Sequence, residues 1–356
     1  MQIKEEVRDI ISSLDIRDIA FLLESSLKIT KQKMANNMAQ EALNCLKNYD
    51  HFTDLVLEFY LLQNKNLRCS AISGVDNETR NVYIGRRVMK GSIIAQSFIN
   101  NKIIFHTEPE NEPSRRGEFI TINRIKSSLI IPIERLGVIT INRFDRKKFN
   151  LHHIKFINIF IKVIKSSLEL AIDNEKNFNA AIRDQLTGLY NHGYFAFELK
   201  KYIENARRGN YSISLIMIDV DYFKKYNDNN GHPKGDELLI KLGKILKVNT
   251  RTADIVARYG GEEFAVVLHN AKLKDAVNKA EILRKAVAEH KFYNEESQPD
   301  KDLTISLGVA SFPDNAETTE DLVIRADKAL YYSKNNGKNK VTSYSKINHK
   351  LSIMSQ

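Results

Sequence analysis

Residues 258–268 read RYGGEEFAVVL: two adjacent glycines, two adjacent glutamates, then an unbroken apolar run from Phe264 to Leu268. The preceding residues, DIVARYG, are also strand-like, so Gly260-Gly261 reads as a two-residue β-hairpin turn. Strands joined this closely have no room for a crossover and must run antiparallel. The turn sets Glu262 at the mouth of the returning strand, and the two-residue period sends Glu263 to the opposite face. Around the hairpin the pattern alternates: helix 192–207, strand 213–219, helix 236–247, the hairpin, helix 271–289, strand 304–311, helix 319–334. Helices alternating with strands, two of them a hairpin, predict an α+β domain with a mixed sheet flanked by helices.

A second acidic position ends the strand ISLIMID: Asp219 follows four apolar residues, Leu215 to Ile218. Carboxylates at strand ends commonly face the ligand crevice in such folds. Asp219 and Glu262 brought together would chelate a hard cation such as Mg²⁺. Lys224 and Lys225 follow closely and suit phosphate. Gly231 and Gly235 bracket His232 and Pro233 in a tight loop leading into a helix at Asp236. Asn227 and Asp236 have the donors and acceptors to read the edge of a base. Each residue alone has a plain reading: a turn-forming acid, a helix N-terminal charge, a solvated lysine. Together they point to metal-dependent phosphoryl or nucleotidyl transfer, and spacing carries the reading no further.

RYGGEEF resembles the signature of the GGDEF family, the diguanylate cyclases. Four more segments resemble that family in order: DQLTGLYNHGYF (184–195), DVDYFKKYNDNNGHPKGDELL (219–239), TISLGVA (304–310) and ADKALYYSKNNGKN (326–339). The resemblance implies a palm like that of adenylyl cyclases, with a ferredoxin-like core. It implies two such domains face to face in a homodimer, each holding one GTP and condensing the pair into cyclic di-GMP with loss of two pyrophosphates. It assigns Asp219 and Glu262, with the Val220 carbonyl, to two divalent ions (Mg²⁺ or Mn²⁺) per half-site. Glu263 is left as a nearby charge and proton acceptor. By the same resemblance Asn227 and Asp236 read guanine, Phe223, Lys224, Lys334 and Lys338 cradle phosphates, and Arg258 lies near the half-site. Lys338 stands where the family usually has arginine, which loses the bidentate fork, and His192 stands where arginine is common. Arg251 and Asp254, in RTADIVARYGG, resemble the family's RxxD site for inhibition by the product, with Arg284 as the candidate third positive group.

The remainder of the 356 residues carries softer signals. The net charge is +10, yet no basic stripe is interleaved with aromatics, so nucleic acid is not an expected partner. No run reaches 18 apolar residues and the N-terminus has acids spread through it, so neither a membrane span nor a signal peptide is expected, and the cytoplasm is the expected location. Cys45 and Cys69 have no metal spacing and read as reduced thiols. The expected divisions are a helical segment over 1–29, a sensor domain over 30–151, a connecting helix over 152–183, the catalytic domain over 184–345 and a tail over 346–356. Residues 31–66 read as helical, RCSAISG and RNVYIG as strands, GSIIAQSFINNK as a helix opening on Ser92, and 129–133 with 137–142 as paired strands. Residues 106–119 read as a surface loop. SSLIIPIERLGVITINRF (127–144), with the helix before it and the long bounding helices, resembles a GAF domain. That implies an α/β sensor with an unidentified small ligand, although neither Cys69 nor His106 reads as an attachment point for a chromophore or haem. Ile157, Ile161, Ile164, Leu168, Ala171, Phe178 and Ile182 step by 4, 3, 4, 3, 7 and 4, a heptad seam suited to pairing two copies of the chain, the alternative being a helix that lies on its own domain.

Overall fold

The computed structural model describes residues 14–49, 52, 54–107, 125–145 and 149–347. Residues 1–13 of the expected helical segment, residues 108–119 of the expected loop and residues 348–356 of the tail lie outside the described residues. The chain divides into two units, 1–177 and 178–356.

The first unit opens with α1 (Ile16–Thr30) and α2 (Ala35–Lys47). Asp15 caps α1 by accepting from the Arg17 and Asp18 amides, and Asp18 returns the bond to the Asp15 amide, a reciprocal capping box. A five-stranded antiparallel sheet follows in the order β2-β1-β5-β4-β3, built from β1 (Val56–Gln63), β2 (Asn66–Ser73), β3 (Ile104–Thr107), β4 (Ser127–Ile133) and β5 (Gly137–Arg143). Two elements differ from the sequence reading. VLEFYLLQ is a strand, not more helix: its first six residues are buried, so both faces are covered and the two-residue alternation disappears. RNVYIG closes a helix, α3 (Asn77–Tyr83), because Asp76 accepts the Thr79 amide at 2.7 Å and nucleates a turn. The helix α4 (Ile93–Asn100) does open on Ser92.

The helix α5 (Leu151–Ile182) carries the expected heptad seam. Ile157, Ile161, Ile164, Leu168 and Ala171 are buried in this unit's own core, with Leu22 and Ile29 of α1, Leu43 of α2 and the inward face of the sheet. The expectation that these residues pair two chains is therefore corrected: the stripe serves the unit's interior. Of the two remaining seam positions, Phe178 is exposed and Ile182 half-buried. The sheet's other face packs against α3 and α4 through Tyr60, Cys69, Tyr83, Ile94 and Ile130. Burial pushes the Cys69 thiol up, as fits a core residue. A polar row crosses this face. Thr140 Oγ1 and Asn142 Nδ2 donate to Glu58 Oε2 at 2.5 and 2.9 Å, and Ser128 Oγ donates to Asn142 Oδ1 at 2.7 Å.

The second unit is a mixed sheet in the order β10-β9-β6-β8-β7, formed by β6 (Ile213–Val220), β7 (Ile255–Arg258), β8 (Glu263–His269), β9 (Ile305–Phe312) and β10 (Val341–Ser343). Only the β9–β10 pair is parallel. One face packs Phe195, Leu199, Leu322 and Leu330 of α6 (His192–Gly209) and α10 (Thr319–Asn335) onto Leu215, Met217 and Ala265. The other packs Leu239, Leu242 and Leu283 of α8 (His232–Val248) and α9 (Leu273–Ala288) onto Ile216, Val266 and Leu307. A Cβ on Gly308 would lie 2.1 Å from the Leu330 amide nitrogen, so glycine is what lets α10 rest directly on β9. Between the expected strand 213–219 and helix 236–247 the chain forms a further short helix, α7 (Phe223–Asn230), with Phe223 and Tyr226 inward. Gly231, at φ +82°, separates it from α8, which starts at His232 rather than Asp236. Pro233 in the first turn is no obstacle, since that position needs no N–H donor.

Candidate active site

The RYGGEEF hairpin is wider than a two-residue turn. The last ladder pair is Arg258 with Phe264, and the Tyr259 and Gly260 amides both donate to the Glu263 carbonyl, at 2.8 and 3.2 Å. Arg258 holds it closed. Its Nε and Nη2 donate to the Gly261 carbonyl at 3.2 and 2.7 Å, and Nη1 donates to both oxygens of Asp184 at 3.2 Å. Arg258 thereby clamps the hairpin to the DQLTGL segment. His192 supports the same hairpin edge-on, its ring 4.7 Å from that of Tyr259.

Asp219, at the end of β6, stands opposite Glu263 in the β6–β8 ladder, so these two project to the same face. Glu262 lies in the turn, tied to the strand by the bond from the Val220 amide to its carbonyl at 3.4 Å. Asp219 is 3 % exposed and is met by Lys334 of α10, with Nζ 2.6 Å from Oδ2. Burial pushes the Asp219 carboxyl up to about 6 against the pull of Lys334, and Glu262 and Glu263 add to the rise. Burial likewise raises Glu262, opposed by Lys334 and helped by Glu263. Carboxylates crowded in a low-dielectric site around one ammonium are short of positive charge. Among the described residues no three His, Cys, Asp or Glu side chains are gathered as a metal site. A cation here would rest on the two acids and on other oxygens, and hard oxygen donors of this kind suit Mg²⁺ or Mn²⁺.

The α7–α8 pair shapes the adjoining surface. Tyr222 precedes α7 at φ +56° and provides no side-chain cap, so the amides beginning at Phe223 and Lys224 are a ready anion site. A Cβ on Gly235 would fall 1.9 Å from Asn227 Oδ1; the missing side chain lets Asn227 lie against α8 beside Asp236. Asn227 Oδ1 is buried without a hydrogen-bond partner, while Asp236 is exposed. Lys338 follows α10 at φ +54°, with Nζ 4.6 Å from the centre of the Tyr222 ring. Asp219, Glu262, Glu263 and Lys334 are therefore gathered on electrostatic grounds, and Asn227 with Asp236 on a neighbouring helical pair.

Elsewhere in this unit, Asp254 accepts the Arg251 amide at 2.9 Å, and both line a cavity of about 340 Å³ with His269, Asp275 and Lys279. Arg284 is not part of it. It bonds to Glu281 at 2.9 Å and to Asn339 Oδ1 at 2.8 Å, which corrects its expected place beside Arg251; Lys279 is the basic residue of α9 that lines the cavity. Sequence reading also passed over Asp184 and Asp221. Neither stands out by spacing: Asp184 follows the end of a long helix and Asp221 the end of a strand, places where an acid is normally a turn former.

Residues 181–340 match the model described as "Diguanylate cyclase, GGDEF domain". Residues 181–340 form a GGDEF domain. The chain is 40 % identical to diguanylate cyclase A of Treponema denticola over 185 residues, 51 % of this chain and 49 % of the relative. It is 38 % identical to the response regulator PleD of Caulobacter vibrioides over 167 residues, 47 % of this chain and 37 % of the relative. Among solved structures, the GGDEF domain of DgcB from Caulobacter crescentus in complex with c-di-GMP is 32 % identical, at a TM-score of 0.43 over 46 % of this chain and 93 % of that one. The chain thus spans about half or less of the curated relatives' length. The GGDEF domain is preceded by an accessory unit of α/β architecture. Among the described residues no helix is long and apolar enough to cross a membrane.

Proposed function

We propose that this chain is a diguanylate cyclase that condenses two GTP molecules into cyclic di-GMP. The observation that carries the reading is the buried Asp219 beside Glu262 at the GGEEF hairpin, neutralised in part by Lys334. In each half of the reaction the 3′-hydroxyl of one GTP attacks the α-phosphorus of the other. The oxygen–phosphorus bond forms, the bond to pyrophosphate breaks, and the hydroxyl proton leaves to a base, for which Glu263 is the nearest candidate on Asp219's face. Asp219 and Glu262, with the Val220 carbonyl, would hold the divalent ions. Such ions neutralise phosphate charge and polarise the reacting phosphorus.

Asn227 and Asp236 are assigned to the guanine edge, supported by the orphaned Asn227 oxygen. The amides at the start of α7, with Lys224, Lys334 and Lys338, are assigned to phosphate. One domain offers one such site, so the reaction takes a homodimer. The cavity of Arg251 and Asp254 is assigned to the product as an inhibitor, with Lys279 in place of the expected Arg284. The first unit is read as a GAF-like sensor. Incubating the purified chain with GTP, ATP or both in Mg²⁺, and reading products by mass spectrometry, tests the proposal. Cyclic di-GMP and pyrophosphate from GTP are expected; a folded protein giving neither, or a mixed dinucleotide, overturns it.

A further inference from the structure

Asp221 is 2 % exposed, and no basic side chain is paired with it among the described residues. Its carboxylate is held by neutral donors from two distant stretches of chain. Ser306 Oγ donates to Oδ1 at 2.7 Å, Thr304 Oγ1 to Oδ2 at 2.8 Å, and the Asn339 amide to Oδ2 at 3.0 Å. Its own amide donates to the Thr304 carbonyl at 2.9 Å. Three pieces of backbone therefore meet at one side chain: the end of β6 with the approach to α7, the start of β9, and the turn after α10.

That turn is held only in part from within: the Lys338 amide donates to the Ser333 carbonyl at 3.1 Å, while the Asn339 amide has its partner outside it. Lys338 and Asn339 are both left-handed, at φ +54° and +42°, a conformation that non-glycine residues adopt at a cost unless neighbours impose it. Outside contacts impose it here. Asp221 takes the Asn339 amide, and Arg284 Nη1 donates to the Asn339 side chain at 2.8 Å. The same turn presents Lys338 over Tyr222, and the helix feeding it presents Lys334 to Asp219. Burying a carboxylate is costly unless its acceptor positions are filled. A site that merely needed a turn here has cheaper solutions than this one.

We propose that Asp221 is a positioning residue. It fixes the turn bearing Lys338, and the end of the helix bearing Lys334, at a set distance from the strand bearing Asp219, and so sets how tightly the nucleotide's phosphates are held. The proposal rests on the reading of this site as a GTP site. Its residues, Asp221, Asn339 and Arg284, touch neither the cation nor the base in that reading.

The chemistry of the clip fixes the choice of variants. Hydroxyls can reverse direction, but an amide N–H can only donate. Asp221→Asn keeps one oxygen for Asn339 and turns its NH₂ toward Ser306, so the clip survives. Asp221→Ala loses it. Binding of a non-hydrolysable GTP analogue to the full chain is measured by calorimetry with Mg²⁺, alongside the unfolding temperature. Asp221→Ala is expected to weaken analogue binding tenfold or more, with Asp221→Asn within about threefold of the parent. In a double-mutant cycle, Asp221→Ala and Lys338→Ala should be strongly non-additive, because the first displaces what the second deletes.

Additive effects, or a folded Asp221→Ala that binds the analogue as the parent does, overturn the positioning role even if its unfolding temperature falls. Should Asp221→Ala not fold, Arg284→Ala releases the same turn through Asn339. It is expected to weaken binding at least threefold and to be non-additive with Lys338→Ala; unchanged binding overturns the proposal. A parent chain that binds no GTP analogue refutes the nucleotide reading itself, a result distinct from all of these.

Discussion

Asp219 has two incompatible tasks in the metal-free protein: to sit in the interior and to carry charge. Burial has raised its folded pKa to about 6, above the ordinary carboxylate range of roughly 4. The stability this residue contributes is therefore fully present below about pH 4 and is lost as pH rises through about 6. Removing the charge should reverse that loss. Asp219→Asn is expected to raise the unfolding temperature of the metal-free protein at pH 7.5, by on the order of 2 kcal/mol in stability, to do so little at pH 4, and to abolish cyclic di-GMP formation. Thermal scans at the two pH values check the stability part, and a variant less stable than the parent at pH 7.5 contradicts it. At the base end, Asp236→Ser should remove a charge-assisted hydrogen bond worth roughly 1.5–3 kcal/mol. Preference for GTP over ATP should fall about tenfold in a competition assay; unchanged discrimination would place guanine reading elsewhere. These residues were legible in sequence because acids, lysines and an asparagine recur together at the strand and helix ends, in segments that resemble a family signature. Asp221 and Asp184 were not, because their partners, Thr304 with Ser306 and Arg258, are brought to them only by folding.

At the scale of elements, the instructive case is α5. Its apolar steps fit a coiled coil and a buried amphipathic helix equally well, since a 3.5-residue and a 3.6-residue period diverge by only about 20° per heptad. The three-dimensional packing decides it: Ile164 is 3 % exposed within the first unit. Ile164→Asp should therefore destabilise that unit by more than about 3 kcal/mol, through an unpaired buried charge. The unfolding midpoint should drop by the same amount at low and high protein concentration; a drop that vanishes at high concentration would mean the residue serves an interface between chains. The other misread elements share a cause. β1 lost its alternation by being buried on both faces, and α3 and α7 are too short for periodicity to register; of the two only α3 has a side-chain cap to mark it, Asp76. The hairpin, β6, β9 and α10 were legible because long apolar runs and turn glycines agree with their tertiary roles.

For the molecule as a whole, the proposed catalytic and inhibitory sites lie on different elements of one domain, so the two activities should separate by mutation. Arg251→Ala is expected to leave the initial rate near that of the parent and to abolish inhibition by added cyclic di-GMP. Initial-rate curves at rising product decide the matter: overlapping curves for parent and variant would remove Arg251 from any inhibitory role. In the first unit, the polar row of Glu58, Thr140, Asn142 and Ser128 is the part that pattern reading had no means to find. Strand alternation assigns these positions to a buried face and says nothing of their chemistry.

The ammonium of Lys334, resting 2.6 Å from Asp219, has a consequence for the sequence of events in a catalytic cycle. Were Asp219 to hold a cation as proposed, Lys334 would have to leave it, and the phosphate oxygens of a nucleotide bound at the same time would give the lysine somewhere to move. In the proposed reading, Lys334 would disfavour loading in two steps and favour arrival of the two as one species. Lys334→Met is expected to tighten binding of Mn²⁺ to the nucleotide-free protein severalfold, read by electron paramagnetic resonance of the free ion, while weakening binding of the nucleotide. A variant that holds free Mn²⁺ no better than the parent would mean the lysine guards nothing. On this account Lys334 acts as a latch: it keeps the site closed to stray cations and yields only to the pair that can react.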